Sequence, residues 1–127
     1  MKLNESNKTP KELEAEGYVK SYDHYQHIFG KYTPQVNIVN ERNDNKEVLL
    51  DILYNLSFDI VYLNKCYCTT EAGAKVDQKI LKCAKKMFEN CKKLKNKPTK
   101  RGILLLFFQY MQLVNYITTL GLFELGL

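Results

Sequence analysis

The stretch that decides the fold is KEVLLDILYNLSFDIVYLNKC, at residues 46–66. It carries two apolar stripes at helical spacing. The first stripe is Leu49, Leu53, Leu56, Ile60 and Leu63, and the second is Leu50, Tyr54, Phe58 and Val61. A helix that is apolar on two sides usually packs between neighbours. We therefore expect this helix at the centre of the core, with Asp44 and Glu47 forming a capping box at its start.

The preceding segment also has a helical pattern. Thr9, Pro10 and Glu12 make a typical helix start, with Thr9 as the N-cap. We expect a helix over about 10–29, interrupted near Gly17 and capped at its end by Gly30. The polar residues 1–8 are expected to form a disordered tail that precedes a single helical domain at 9–127.

Residues 31–45 are expected to connect the first two helices. Pro34 argues against a helix there. Val36 and Ile38 alternate with polar neighbours, which indicates a short extended stretch.

Two more helices follow. Thr69 or Thr70 can cap a helix over about 70–96 that ends before Pro98, and Thr99 can cap one over about 100–120 that ends near Gly121. Short connections favour antiparallel neighbours. The expected fold class is therefore all-α, an antiparallel bundle of about four helices with a disordered N-terminal tail.

The third helix is strongly basic. Residues 75–101 hold ten lysines and one arginine against Asp77 and Glu89, a charge of +9, so the rest of the +5 chain sums to −4. At 100° per residue, one narrow arc holds Lys75, Lys79, Lys82, Lys86 and Lys93, opposite an apolar side. Past the helix end, Lys95, Lys97, Lys100 and Arg101 extend the row. A row of ammonium groups about 27 Å long is suited to a nucleic-acid backbone, because it can neutralise successive phosphates.

Two other interpretations of this basic face stay open. It can be a solvated surface that keeps the protein in solution. It can also lie on a membrane surface, which requires large aromatic or leucine anchors on the apolar side. That side offers cysteine, alanine and methionine, with Phe88 near its edge, and this composition favours packing against other helices.

The most hydrophobic part of the chain is residues 103–117, which raises the alternative of a tail anchor. Gln109, Gln112 and Asn115 share one arc with two threonines, opposite a broad apolar face. This pattern is typical of a bundle helix in a soluble protein.

No residues form a recognisable catalytic or metal-binding motif. His24 and His27 could in principle join Cys66 and Cys68 around zinc, but paired Cys-x-x-Cys spacing is absent. The four cysteines, which also include Cys83 and Cys91, fit apolar helical positions as reduced core thiols. We expect no enzyme activity and no cofactor.

The chain resembles the small helical subunit of type III-A CRISPR effector complexes. The segments that carry the resemblance are Tyr18-Val19, Tyr62-Leu63-Asn64-Lys65, Glu71-Ala72-Gly73 and Tyr110-Met111-Gln112-Leu113-Val114-Asn115-Tyr116. Ala74 stands where members of the family usually have arginine, and the closing segment lacks their glutamate. The resemblance implies a non-enzymatic subunit that holds guide and target RNA along their backbones.

The sequence thus favours a cytoplasmic, non-enzymatic subunit of a larger complex. Its partners would be a nucleic-acid backbone, with RNA favoured, and other protein subunits. Binding would use Lys75, Lys79, Lys82, Lys86, Lys93, Lys97, Lys100 and Arg101. No membrane is favoured, and self-association stays open. The alternative is a protein-interaction module without nucleic acid, an adaptor or a host-directed factor, whose basic face is only solvated surface.

Overall fold

A computed structural model describes residues 8–42, 46–63 and 65–126. The elements in chain order are α1 (Pro10–Ala15), β1 (Val19–Lys20), α2 (Ser21–Arg42), α3 (Lys46–Tyr62), β2 (Cys66–Tyr67), α4 (Glu71–Asn96) and α5 (Lys100–Leu125). The mostly helical fold class is confirmed. The two short strands were not expected. They form a parallel pair in which Val19 lies opposite Cys66.

The predicted first helix is divided at Gly17, as its sequence indicated. Thr9 and Glu12 form the expected capping box, with each backbone N–H donating to the other residue's side chain over 3.3 Å. Gly17 adopts a φ of +90°, which favours glycine, and this turn leads into β1. Lys8, the last residue of the predicted tail, forms a 2.5 Å ion pair with Glu16, while residues 1–7 lie outside the described chain.

The expected connection over residues 31–45 is wrong, because α2 continues through Gly30 and Pro34 to Arg42. The expected cap at Gly30 and the extended stretch at Val36 and Ile38 are wrong with it. A proline removes one helical hydrogen bond and crowds the carbonyl four residues earlier, here that of Gly30. Burial of Tyr32 and Val36 in the core on either side of Pro34 outweighs that local cost.

Helix α3 lies in the core as predicted. Leu50, Leu53, Leu56 and Ile60 are at most 1% exposed. The helix ends at Tyr62, about one turn before the predicted end, because the chain then turns into β2. The proposed capping box at its start includes Asp44, which lies outside the described residues.

Helices α4 and α5 begin at the predicted caps. The hydroxyl of Thr70 accepts a 2.9 Å hydrogen bond from the Gly73 N–H, and that of Thr99 accepts a 3.0 Å bond from the Gly102 N–H. The predicted end of α5 near Gly121 is wrong. Gly121 is a buried helical residue at which a Cβ atom would lie 2.7 Å from the Tyr22 ring, so the glycine permits close packing of α5 on α2.

Side-chain contacts show how the long helices run against one another. Lys95 near the end of α4 forms an ion pair with Asp51 near the start of α3. Thr33 in the middle of α2 hydrogen bonds to the Tyr110 hydroxyl of α5 at 2.8 Å. Glu124 at the end of α5 accepts hydrogen bonds from the Thr69 and Thr70 N–H groups, at 2.6 and 2.9 Å, just before α4. For α3 with α4 and for α4 with α5, these contacts join the end of one helix to the start of the other.

A buried polar cluster joins three elements inside this apolar core. Asp77 of α4 is fully buried and accepts a hydrogen bond from the Tyr25 hydroxyl of α2. The Ser21 Oγ lies 3.2 Å from an Asp77 carboxylate oxygen and 3.1 Å from the Tyr67 carbonyl oxygen of β2. The Cys68 thiol donates to both Ser21 and Asp77 over longer distances.

We predict that replacing Leu56 or Ile60 by alanine lowers the free energy of unfolding by about 2–4 kcal/mol. Both side chains are 0% exposed, so each truncation leaves a cavity between packed helices. Urea unfolding followed by circular dichroism at 222 nm measures the loss. The Leu63→Ala variant is the control, since Leu63 is 59% exposed and its truncation should change stability by less than about 0.5 kcal/mol. Equal losses in the three variants would contradict this placement of the core.

Candidate nucleic-acid interface

The predicted basic residues are all exposed, and the structure places them along α4 and at the start of α5. Lys75, Lys79, Lys82, Lys86 and Lys93 lie on α4, Lys97 is its C-cap residue, and Lys100 and Arg101 begin α5. The opposite side of α4 is buried through Ile80, Ala84, Met87 and Cys91. Among the described residues, no carboxylate forms an ion pair with any of these eight cations, so their charges are available to a ligand.

Lys95 and Lys92 are directed away from this row. The Lys95 Nζ lies 3.3 Å from the Asp51 carboxylate and 4.1 Å from the centre of the Tyr54 ring, both on α3. The Lys92 Nζ lies 5.4 Å from the Phe88 ring centre. The expectation that Lys95 extends the row is wrong. Lys95 follows Lys93 by two residues, and two residues of an α-helix turn the side chain by about 200° around the helix axis.

A groove between α4 and α5 runs beside the lysine row. Its volume is about 290 Å³, and it is lined by Lys79, Lys82, Cys83, Lys86, Gln109, Gln112 and Tyr116. Three of the predicted lysines thus share one concave surface with the amide stripe of α5. The lysines supply positive charge, and the amides and the tyrosine hydroxyl supply neutral donors and acceptors.

Hydrogen bonds hold the polar side chains of the groove in place. The Gln112 amide donates to the Tyr116 hydroxyl over 2.9 Å, and the Asn90 amide donates to the Gln109 amide oxygen over 3.2 Å. The Cys83 thiol lies 3.7 Å from the amide oxygen of Gln112. The α5 wall of the groove is therefore braced within the helix and against α4.

The sequence indicates the two halves of the groove separately. Its lysine spacing predicts a binding surface, whereas Gln109 and Gln112 indicate only that α5 belongs to a soluble bundle. Their shared groove depends on the rotation of one helix relative to the other. The signal available in the sequence was the short connection around Pro98, which makes α4 and α5 neighbours.

All four cysteines are buried thiols, as expected for core positions. Burial raises the pKa of Cys66, Cys68 and Cys91 to about 12 and also raises that of Cys83. These thiols therefore hold little of the thiolate form that binds metals or attacks electrophiles.

The two histidines lie on α2. His24 is half-buried on α2, and burial lowers its pKa. Within residues 8–42, 46–63 and 65–126, no three histidine, cysteine or acidic side chains are grouped to hold a metal ion.

Comparisons of the chain with protein-family models, with curated proteins and with solved structures found no match.

We predict that the native thiols react slowly with Ellman's reagent. At neutral pH, a thiol whose pKa is about 12 is ionised roughly a thousandfold less than an ordinary cysteine. Cys83 should react first because it lines the open groove, and Cys83→Ser should remove that fastest phase. In guanidinium chloride all four thiols should react at the rate of free cysteine. A native thiol that reacts at that rate would contradict the buried placement.

Proposed function

We propose that this protein is a non-enzymatic subunit that binds the backbone of a nucleic acid, with RNA favoured, inside a larger cytoplasmic complex. The observation that carries the proposal is the row of eight exposed cations along α4 and the start of α5, free of carboxylate partners among the described residues. In this proposal α2 to α5 act as an antiparallel four-helix bundle that presents α4 outward. Other protein subunits are its further partners, and self-association stays an alternative.

The length and chemistry of the row support contact with phosphates. From Lys75 to Lys93 it extends about 27 Å, which spans several phosphates of a strand. Lysine is a flexible point charge, so it suits contacts with phosphate oxygens better than bidentate recognition of base edges. The proposed binding is therefore insensitive to base sequence.

The groove beside the row supports the preference for RNA. Lys79, Lys82 and Lys86 can hold phosphates at its α4 wall. The Gln112 amide and the Tyr116 hydroxyl at its α5 wall can hydrogen bond to a ribose 2′-hydroxyl, the group that distinguishes RNA from DNA. The resemblance to the small subunit of type III-A effector complexes agrees with this ligand.

The second candidate function is a protein-interaction module without nucleic acid. It is favoured by apolar side chains that α5 exposes to solvent, among them Leu104, Phe108 and Met111. Large exposed apolar patches usually mark interaction sites. In that case the lysines only solvate the surface.

We predict that the protein binds a single-stranded RNA of mixed sequence with an affinity that falls steeply with salt. The slope of log K against log salt should be about −0.7 for each phosphate neutralised. Each single Lys→Ala change at Lys79, Lys82 or Lys86 should weaken binding modestly and reduce the slope by about one contact. Fluorescence anisotropy of a labelled RNA at several salt concentrations measures both quantities.

The decisive comparison uses two triple variants with the same change in net charge. Replacing Lys79, Lys82 and Lys86 by glutamate should abolish RNA binding through repulsion. Replacing the exposed lysines Lys11, Lys20 and Lys31 by glutamate changes the charge equally on other elements and should reduce binding far less. Equal losses would show a general charge effect. Unchanged binding in the first variant would leave the interaction module as the function.

A further inference from the structure

Helix α5 has an apolar ridge on the side that faces away from the core. Leu104, Phe108, Met111 and Leu122 are 56%, 64%, 56% and 49% exposed, and helical rotation places them within about 60° of one another. Within the described residues, α5 is the one helix long and apolar enough to cross a membrane. Its most apolar stretch of 18 residues has a mean hydropathy of 1.4, and a third of that stretch is buried.

The polar residues on this side of α5 are few, and two of them have their hydroxyl groups satisfied. Thr118 Oγ1 donates to the Val114 carbonyl over 2.9 Å, and Thr119 Oγ1 donates to the Asn115 carbonyl over 3.0 Å. A threonine bonded in this way offers no free donor to water. The ridge is therefore interrupted mainly by the Asn115 amide, near the middle of the helix.

Positive charge borders the ridge. Gln112, which lines the groove with Lys79, Lys82 and Lys86, is only about 40° of helical rotation from Phe108. Lys100 and Arg101 lie at the start of α5, and the helix contains no acidic residue before Glu124. The carboxylate of Glu124 is bound to Thr69 and Thr70. The apolar ridge of α5 is thus bordered by cations of α4 and of the start of α5.

We propose that this surface binds peripherally to an anionic lipid membrane. Leu104, Phe108 and Met111 would enter the boundary between headgroups and acyl chains, about 5–10 Å deep, while the lysines contact lipid phosphates. Taken alone, α4 lacks the anchors that such a contact requires. The structure supplies them from α5, beside the α4 lysines.

Shape and charge favour a lipid surface over a second copy of the chain as the ligand of this ridge. The ridge is a single convex helix face, and a lipid surface can cover it without a complementary groove. Two copies of the chain whose α5 helices paired antiparallel through this face would place their lysine rows on the same edge, and like charges would oppose that pairing. Insertion of α5 across the membrane would remove Leu106, Leu113 and Leu120, all 0% exposed, from the core. The contact is therefore peripheral.

Sedimentation with vesicles tests this proposal independently of RNA binding. We expect the protein to bind vesicles of phosphatidylcholine with about one third phosphatidylserine, and to bind pure phosphatidylcholine at least about tenfold more weakly. Leu104→Gln with Phe108→Gln should lower vesicle binding by about tenfold or more, because both anchors become polar. Ile38→Gln is the control, since Ile38 is 51% exposed but lies on α2. It should leave vesicle binding unchanged.

The neutral substitutions also separate the two proposals. The Leu104→Gln, Phe108→Gln variant should bind RNA as the unmodified protein does, because no charge has changed. Absence of vesicle binding, or vesicle binding that survives both substitutions, would overturn the lipid proposal whatever the RNA result. A dimer in gel filtration that Phe108→Gln converts to a monomer would also overturn it, since a second copy would then cover the ridge.

Discussion

The rest of the structure depends on the burial of one carboxylate, that of Asp77. A carboxylate removed from water without partners is strongly destabilising, so its position is tolerated only where donors are already in place. Tyr25 and Ser21 of α2 supply such donors, and Ser21 also reaches the Tyr67 carbonyl of β2. The cluster therefore fixes the rotation of α4 about its own axis. With Asp77 directed inward, helical geometry directs Lys75, Lys79 and Lys82 outward.

Features set by nearby residues were predictable from the sequence. The starts of α4 and α5 depend on Thr70 and Thr99, each of which bonds to an amide three residues later. Helical periodicity places the α4 lysines Lys75, Lys79, Lys82, Lys86 and Lys93 on one face of the helix. The break at Gly17 was also indicated locally, because glycine is the residue that best tolerates a φ of +90°.

Features set by distant residues were not predictable in the same way. The continuation of α2 past Pro34 depends on packing of Tyr32 and Val36, which outweighs the local preference of proline. The parallel pairing of Val19 with Cys66 joins residues far apart in the chain, and no alternation marks either strand. The candidate site shows the same difference. Its lysines could be identified from the pattern of one helix, whereas the groove and the neighbouring ridge depend on how α4 and α5 are placed against each other.

The contacts of Glu124 bear on whether the basic helix α4 would keep its structure outside this protein. The N–H groups just before α4 are satisfied by a carboxylate more than fifty residues further along the chain. The eight lysines of α4 repel one another. A synthetic peptide that covers only α4 would keep the repulsion. It would lose the Glu124 contacts and the apolar neighbours, and packing of that kind supplies most of the stability of an amphipathic helix in a protein. The arrangement of the lysines is thus a property of the folded domain. Inserting the α4 sequence into another protein would transfer the positive charge but not the positions of the lysine side chains.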